Sequence, residues 1–209
     1  MTADLLTEAV PRMPPLSMKI IEKIGQDILN LLAPEALASP IAINLADIVE
    51  KKLPQYGIFV YPATFAELKD SMAATIPVGE RETNILLSAA LWEQLFESGR
   101  RANRARATVA HELSHAILHV PYLRQRKTFL AVEGDSVLHR VRRDELRPYE
   151  DPEWQAWGLA GCILAPRCTI ETLADRPPSI LAEIYEVSEG MVVSHLKRLK
   201  LLSREGGMK

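Results

Sequence analysis

Cysteine is nearly absent from this sequence of 209 residues: there are two, Cys162 and Cys168, and neither belongs to a CxxC pair. That excludes a disulfide framework and fits a reducing compartment. Cys162 reads as a buried small apolar residue. Long apolar runs are missing too. No stretch approaches the roughly 20 residues of a membrane-spanning helix. The start, Met1 to Glu8, has neither the basic region nor the apolar run of a secretory leader. There is no excess of one charge: 25 Lys and Arg against 27 Asp and Glu give a net charge of -2. Nothing therefore pulls the whole chain toward nucleic acid, and any basic surface is local. Internal repeats and low-complexity tracts are also lacking. What remains is an ordinary globular composition, 47% hydrophobic and 25% charged, expected in the cytoplasm with no membrane partner. The length allows one core, or one domain with a small appendage.

Residues 11–15 (Pro-Arg-Met-Pro-Pro) read as an extended lead-in. Ser17 then caps a helix in which Ile20, Ile21, Ile24, Ile28, Leu31 and Leu32 recur at helical spacing until Pro34. A second helix is expected over Leu45 to Leu53. Ile58 to Tyr61 is β-like. Ala73 to Val78 and Asn84 to Ser88 flank a hairpin loop at residues 79–83, and the three segments predict a small sheet. A short helix around Ala90 to Glu97 stops at Gly99. Arg101 to His119 reads as one long helix, with Ala102, Ala105, Val109, Leu113, Ala116 and Ile117 as its apolar side. Its basic start, Arg100, Arg101, Arg104 and Arg106, reads as a solvated face or as arginines over carboxylates, ahead of nucleic-acid binding. Strands are expected near Phe129 to Val132 and Val137 to Val141. Helix resumes from Pro152 to Leu164, and the last forty or so residues are helical around a Pro177-Pro178 joint.

The chemistry sits in His111-Glu112-Leu113-Ser114-His115. Residues four apart on a helix differ by about 40° in direction and about 6 Å in height, so His111 and His115 can converge on one ion. Glu112 lies beside them, placed to act as a general base toward water without being a ligand. The pattern points to one zinc ion per chain. His119 is a poor third ligand: it lies about 12 Å along the helix from His111 and roughly 80° around it, and the glycine turn of the longer HExxHxxGxxH pattern is missing. It reads as a helix-end residue that supports the site or the core. A catalytic zinc takes three protein ligands and keeps one position open. The downstream carboxylates are Glu133, Asp135, Asp144, Glu145, Glu150, Asp151 and Glu153. Glu153 stands apart because it opens an apolar helix, whose small residues Ala156, Ala160 and Gly161 permit close packing. A glutamate there also suits the helix dipole alone.

Arg104 to His119, followed by Glu153-Trp-Gln-Ala156 and Ile163-Leu-Ala-Pro166, resembles the ImmA/IrrE family of metallopeptidases. The resemblance covers roughly residues 40–205. It implies that Glu153 is the third metal ligand beside His111 and His115, and that Glu112 is the catalytic glutamate. The sequence departs from many members at Trp157, Leu159 and Ala165, none of them in the metal set. The resemblance also implies cleavage of a specific regulator, a helix-turn-helix repressor, with release of the genes it silences.

The C-terminal segment, Ile180 to Tyr185 and then Glu189 to Lys200, has the rhythm of a helix-turn-helix. Leu181, Ala182, Val187, Val192, Leu196 and Leu199 form its core, and Ser188 is the second cap. His195, Lys197, Arg198 and Lys200 are expected to give that helix a basic side. DNA docking is therefore an alternative partner reading, ranked below a helical subdomain that presents the substrate. The whole reads as an α+β fold: an extended lead-in (1–16), a zincin-like metallopeptidase domain (17–166) and a helix-turn-helix-like subdomain (167–209). The competing functions are a DNA-binding regulator and a non-hydrolytic binding module with a structural metal. Tyr122, Tyr149 and nearby arginines are the candidates for stabilising transition-state charge.

Overall fold

The computed structural model describes residues 9–68, 71–133 and 140–202. Residues 1–8, the candidate ligand Asp135 and the first residues of the strand expected from Val137 lie outside them. So does the end of the proposed C-terminal subdomain. The architecture is mixed α+β.

Strand β1 (Ala9–Pro11) opens the described chain. Helix α1 (Met18–Leu32) starts where Ser17 accepts a hydrogen bond from the Ile20 N–H. Its buried row is Ile21, Gly25, Leu29 and Leu32, while Ile20 and Leu31 are exposed. The expected stripe is therefore rotated. The cause is close packing: a Cβ on Gly25 would stand 2.7 Å from the Cys162 Cβ, so the helix turns its glycine toward that neighbour. Cys162 is buried, as its small apolar character predicts.

Helix α2 (Glu35–Ala38) follows Pro34. The helix expected from Leu45 is irregular. Only α3 (Leu45–Asp47) is α-helical; it continues as a π-helical turn (Ile48–Lys52) and a 3-10 turn (Leu53–Tyr56). Gly57 closes this segment at φ 72°, a left-handed conformation that glycine adopts without a Cβ clash.

The sheet contains β2 (Ile58–Ala63), then β3 (Ala73–Val78) and β4 (Glu82–Ser88), with the short α4 (Phe65–Leu68) after β2. Its order is β2-β4-β3. The hairpin pair β3–β4 is antiparallel and β2–β4 is parallel, so β3 is an edge strand. Ile85 and Leu87 of the central strand are fully buried.

Helix α5 (Ala89–Leu95) leads to α6 (Arg100–Leu118), which buries Ala102, Ala105, Val109, Leu113 and Ala116 as its spacing predicts. Helix α7 (Val120–Glu133) begins almost at once, and it replaces the strand expected at Phe129 to Val132. Pro121 is tolerated in a first helical turn, and the following Leu, Arg, Gln and Lys residues favour helix. Strand β5 (Arg140–Arg142) pairs antiparallel with β1, Val10 opposite Val141. Two 3-10 turns, Arg143–Glu145 and Pro148–Glu150, connect it to α8 (Pro152–Leu164), which packs along both α1 and α6.

The remaining helices are α9 (Arg167–Ile170), α10 (Pro178–Tyr185) and α11 (Glu189–Leu199). Leu181, Ala182, Val187, Val192, Leu196 and Leu199 are all buried, and they join the same hydrophobic cluster as α1, α6 and α8. Ser188 caps α11 by accepting from the Met191 N–H. From α6, Asn103 Nδ2 donates to Val187 O (3.3 Å) and Arg106 Nε to Glu186 O (3.2 Å), tying α6 to the α10–α11 turn.

His195 is not on a basic outer side. It is 2% exposed and its Nε2 lies 2.9 Å from the carbonyl of Ala165, the residue that ends α8. Helix C-termini leave carbonyls without partners, and this imidazole satisfies one. Gly161 makes the fit, because a Cβ there would fall 2.2 Å from His195 Nδ1. Burial lowers the His195 pKa to about 4, so the ring is neutral. The exposed basic residues of this segment are therefore Lys197 and Lys200, with Arg198 half-buried. Among the described residues, no helix is long and apolar enough to cross a membrane.

Candidate metal centre

Helix α6 delivers His111, Glu112 and His115 to one cleft, and the first turn of α8 delivers Glu153. The N-cap Asp151 fixes that turn: its Oδ1 accepts from the Glu153 N–H (2.9 Å) and its Oδ2 pairs with Arg143 Nε (3.0 Å). Nε2 of His111 and Nε2 of His115 are 3.0 Å apart. Each also stands 3.2 Å from an oxygen of Glu153, His111 from Oε2 and His115 from Oε1. Ligands on a small tetrahedral ion with bonds of about 2.0–2.1 Å stand about 3.3 Å apart. The three side chains therefore fit one such ion. Burial alone would raise the Glu153 carboxyl; the imidazoles of His111 and His115 beside it outweigh burial and hold the group well below the usual carboxylate range.

The other candidate carboxylates have different employment or do not join the cluster. Asp144 pairs with Arg142 (2.6 Å), and Glu150 Oε2 accepts from the Arg147 N–H (3.3 Å). Asp151 is the cap just described, and Glu145 is exposed. Glu133 ends α7, whose last residues have no described side chains.

His119 is 3% exposed and supports His115, away from the cluster itself. Its Nδ1 lies 2.9 Å from His115 Nδ1, and its Nε2 lies 3.1 Å from Gln155 Oε1. Gln155 Nε2 donates to Pro14 O and to Tyr149 O, both at 2.8 Å. Two carbonyl partners fix the amide's orientation, so Oε1 is the acceptor and His119 Nε2 carries the proton. His119 Nδ1 is then an acceptor, and His115 donates to it from Nδ1–H. That assignment leaves a lone pair on His115 Nε2, the atom that faces Glu153. The neutral form of His119 agrees with its pKa, lowered to about 4 by burial and by the neighbouring His115. A ligating imidazole is commonly oriented in this way through its second nitrogen.

His111 is held differently. Its Nδ1 is buried without a hydrogen-bond partner among the described residues. The Trp157 ring packs on the imidazole, with centroids 4.3 Å apart and planes inclined by 34°. Packing orients this imidazole where hydrogen bonds orient that of His115.

Thr75, on edge strand β3, reaches Glu112. Its Oγ1 stands 2.7 Å from Glu112 Oε2 and 3.0 Å from Glu112 O. The cleft has a volume of about 360 Å³, and Thr75, Pro77, Val120 and Leu123 complete its walls. Tyr122 and Tyr149 do not line it; the Tyr149 hydroxyl instead accepts from Arg147 (2.7 Å).

Sequence reading did not find Thr75, Gln155 or the contact made by Trp157. Gln155 had a signal, as a polar residue inside an otherwise apolar helix. Thr75 had none, because nothing local to β3 reports what lies across from it.

Residues 95–197 match the family model Peptidase_M78, described as the IrrE N-terminal-like domain. Comparison with curated proteins and with solved structures finds no match. The matched span contains both the HExxH segment and Glu153, and the chain belongs to the ImmA/IrrE family of peptidases.

Proposed function

We propose that this protein is a zinc-dependent endopeptidase that cleaves one specific regulatory protein, a helix-turn-helix repressor, and so releases the genes it silences. The observation that carries the enzymatic part is the convergence of two imidazole nitrogens and a carboxylate at 3.0–3.2 Å, with Glu112 in the same cleft. His111, His115 and Glu153 would hold the ion. Zinc, when bound, supplies a Lewis acid that polarises a carbonyl and makes hydroxide available near neutral pH. Glu112 then takes the proton of the attacking water and delivers it to the departing amine. Thr75, donating to Oε2, holds that carboxylate in one orientation. A glutamate with this task is needed in a hydrolase and has no use in a purely structural metal site.

The substrate part is supported by the sheet. Edge strand β3 borders the cleft through Thr75 and Pro77, and an extended segment of another polypeptide can add to such an edge. The family's association with helix-turn-helix repressors narrows the substrate further.

Metal-loaded protein incubated with a repressor encoded beside it should yield two fragments by mass spectrometry. Glu112→Gln should lower the rate by about 10²–10⁴-fold, the usual worth of general acid–base catalysis, while metal content and circular dichroism stay those of the parent. Cleavage by the Gln variant at the parent's rate would contradict the assignment.

A further inference from the structure

A second hollow, about 730 Å³, lies between α6, α8 and α11. That volume is in the range of ligand-binding clefts. It is lined by Trp157, whose ring packs on His111 of the metal centre. Thr108 lies one helical turn before His111 and Trp157 one turn after Glu153, and both line the hollow. Arg104 and Arg198 line it as well, and among its described lining residues there is no Asp or Glu. Arg100 also borders it, but shares a neighbouring hollow with Glu183 and Glu189, so the charge that belongs to this site alone comes from Arg104 and Arg198. His195, at the back, is neutral and adds none.

Among the described residues, neither guanidinium group has a partner. Arg106, which is buried, and Arg143 and Arg167, which are half-buried, each have a carboxylate within 4 Å. Neither Arg104 nor Arg198 forms an ion pair or a side-chain hydrogen bond among the described residues. Removing a guanidinium from water without an anion beside it is unfavourable, and Arg198 is half-buried in this condition. Its position is explained if an anion arrives from outside.

We propose that this hollow is a specificity subsite for an acidic side chain of the polypeptide being cleaved, bound by Arg104 and Arg198. This deepens the endopeptidase reading and rests on it for the identity of the ligand. Seven residues of helix separate Arg104 from His111, about 10 Å of axial rise. An extended chain advances about 3.3 Å per residue. The recognised Asp or Glu is therefore about three residues from the bond at the metal centre.

The test is binding to the full chain carrying Glu112→Gln, read by fluorescence anisotropy. The probes are two labelled short peptides of Gly, Ser and Ala, one with a central pair of Glu and one with Gln in their place; inorganic pyrophosphate serves as competitor. The Glu peptide should bind at least about tenfold more tightly than the Gln peptide, the worth of one charge-assisted hydrogen bond. Arg104→Glu should reduce that preference, and Arg104→Glu with Arg198→Glu should abolish it. Lys197→Glu makes the same change of charge on α11 but outside the hollow, and should leave binding unchanged. Equal binding of the two peptides, or no binding of either, overturns the proposal. So does an equal loss in Lys197→Glu, which would indicate general surface attraction. Tight binding of pyrophosphate that the Glu peptide cannot displace would also overturn it, and would make the hollow a site for small phosphate compounds. Binding needs neither metal nor hydrolysis, so this result stands apart from failure of the peptidase assignment, which zinc content and repressor cleavage report separately.

Discussion

The two ends of α6 carry their charge in opposite ways. At the C-terminal end, polar atoms are joined in a chain that runs from Pro14 and Tyr149 through Gln155 and His119 to His115. At the N-terminal end, the Arg104 guanidinium borders a hollow with no partner among the described residues. A wired end is set before any ion arrives, which limits reorganisation when one binds. An open end waits for charge from another molecule. The same contrast appears inside the metal centre, where His115 is oriented by hydrogen bonds and His111 by the Trp157 ring.

The largest effect should come from cutting the wire. His119→Ala should weaken metal binding by about 10–100-fold, the usual cost of losing an outer partner of a ligand, measured by competition with a chelator. Trp157→Leu, which removes packing without removing a hydrogen bond, should cost less. Equal losses would erase the distinction between the two histidines.

Acid should act next, at the buried His195. Its folded pKa of about 4 is below the ordinary value near 6.5, so its contribution to stability is fully present above about pH 6.5 and is lost as pH falls toward 4. His195→Gln removes that titration while an amide N–H can still reach the Ala165 carbonyl. Between pH 7 and pH 5 the parent should lose about 2 kcal/mol more than the variant in urea unfolding. Parallel losses would show that this ring titrates as if exposed.

The smallest effect should come from Thr75→Val. It removes one hydroxyl from Glu112 and leaves the metal ligands alone. Cleavage should slow by about fivefold, with metal content unchanged, as for loss of one hydrogen bond of about 1 kcal/mol.

Much of this was legible in sequence because the signals were local. The four-residue spacing in HExxH sets two side chains on one face whatever the surrounding fold. Ser17 and Ser188 announced helix starts, and the hairpin around residues 79–83 followed from its flanking strands. What escaped was set by partners distant in the chain. The α1 stripe rotated because Gly25 meets Cys162. His195 looked like part of a basic face, but a glycine and an open carbonyl on α8 draw it inward. The β1–β5 pairing joins segments some 130 residues apart, and two three-residue strands carry little pattern of their own. Around Phe129, β-branched and aromatic residues suggested a strand, but a helix restarting at Val120 continued through them.

The central claim is that His111, His115 and Glu153 hold one zinc ion. Its most direct test is elemental analysis of protein purified without added metal, beside Glu153→Ala. The account predicts close to one zinc per chain in the parent and far less in the variant, with circular dichroism alike. A parent that carries no metal and cannot be reconstituted, or a variant that keeps its zinc, would contradict it.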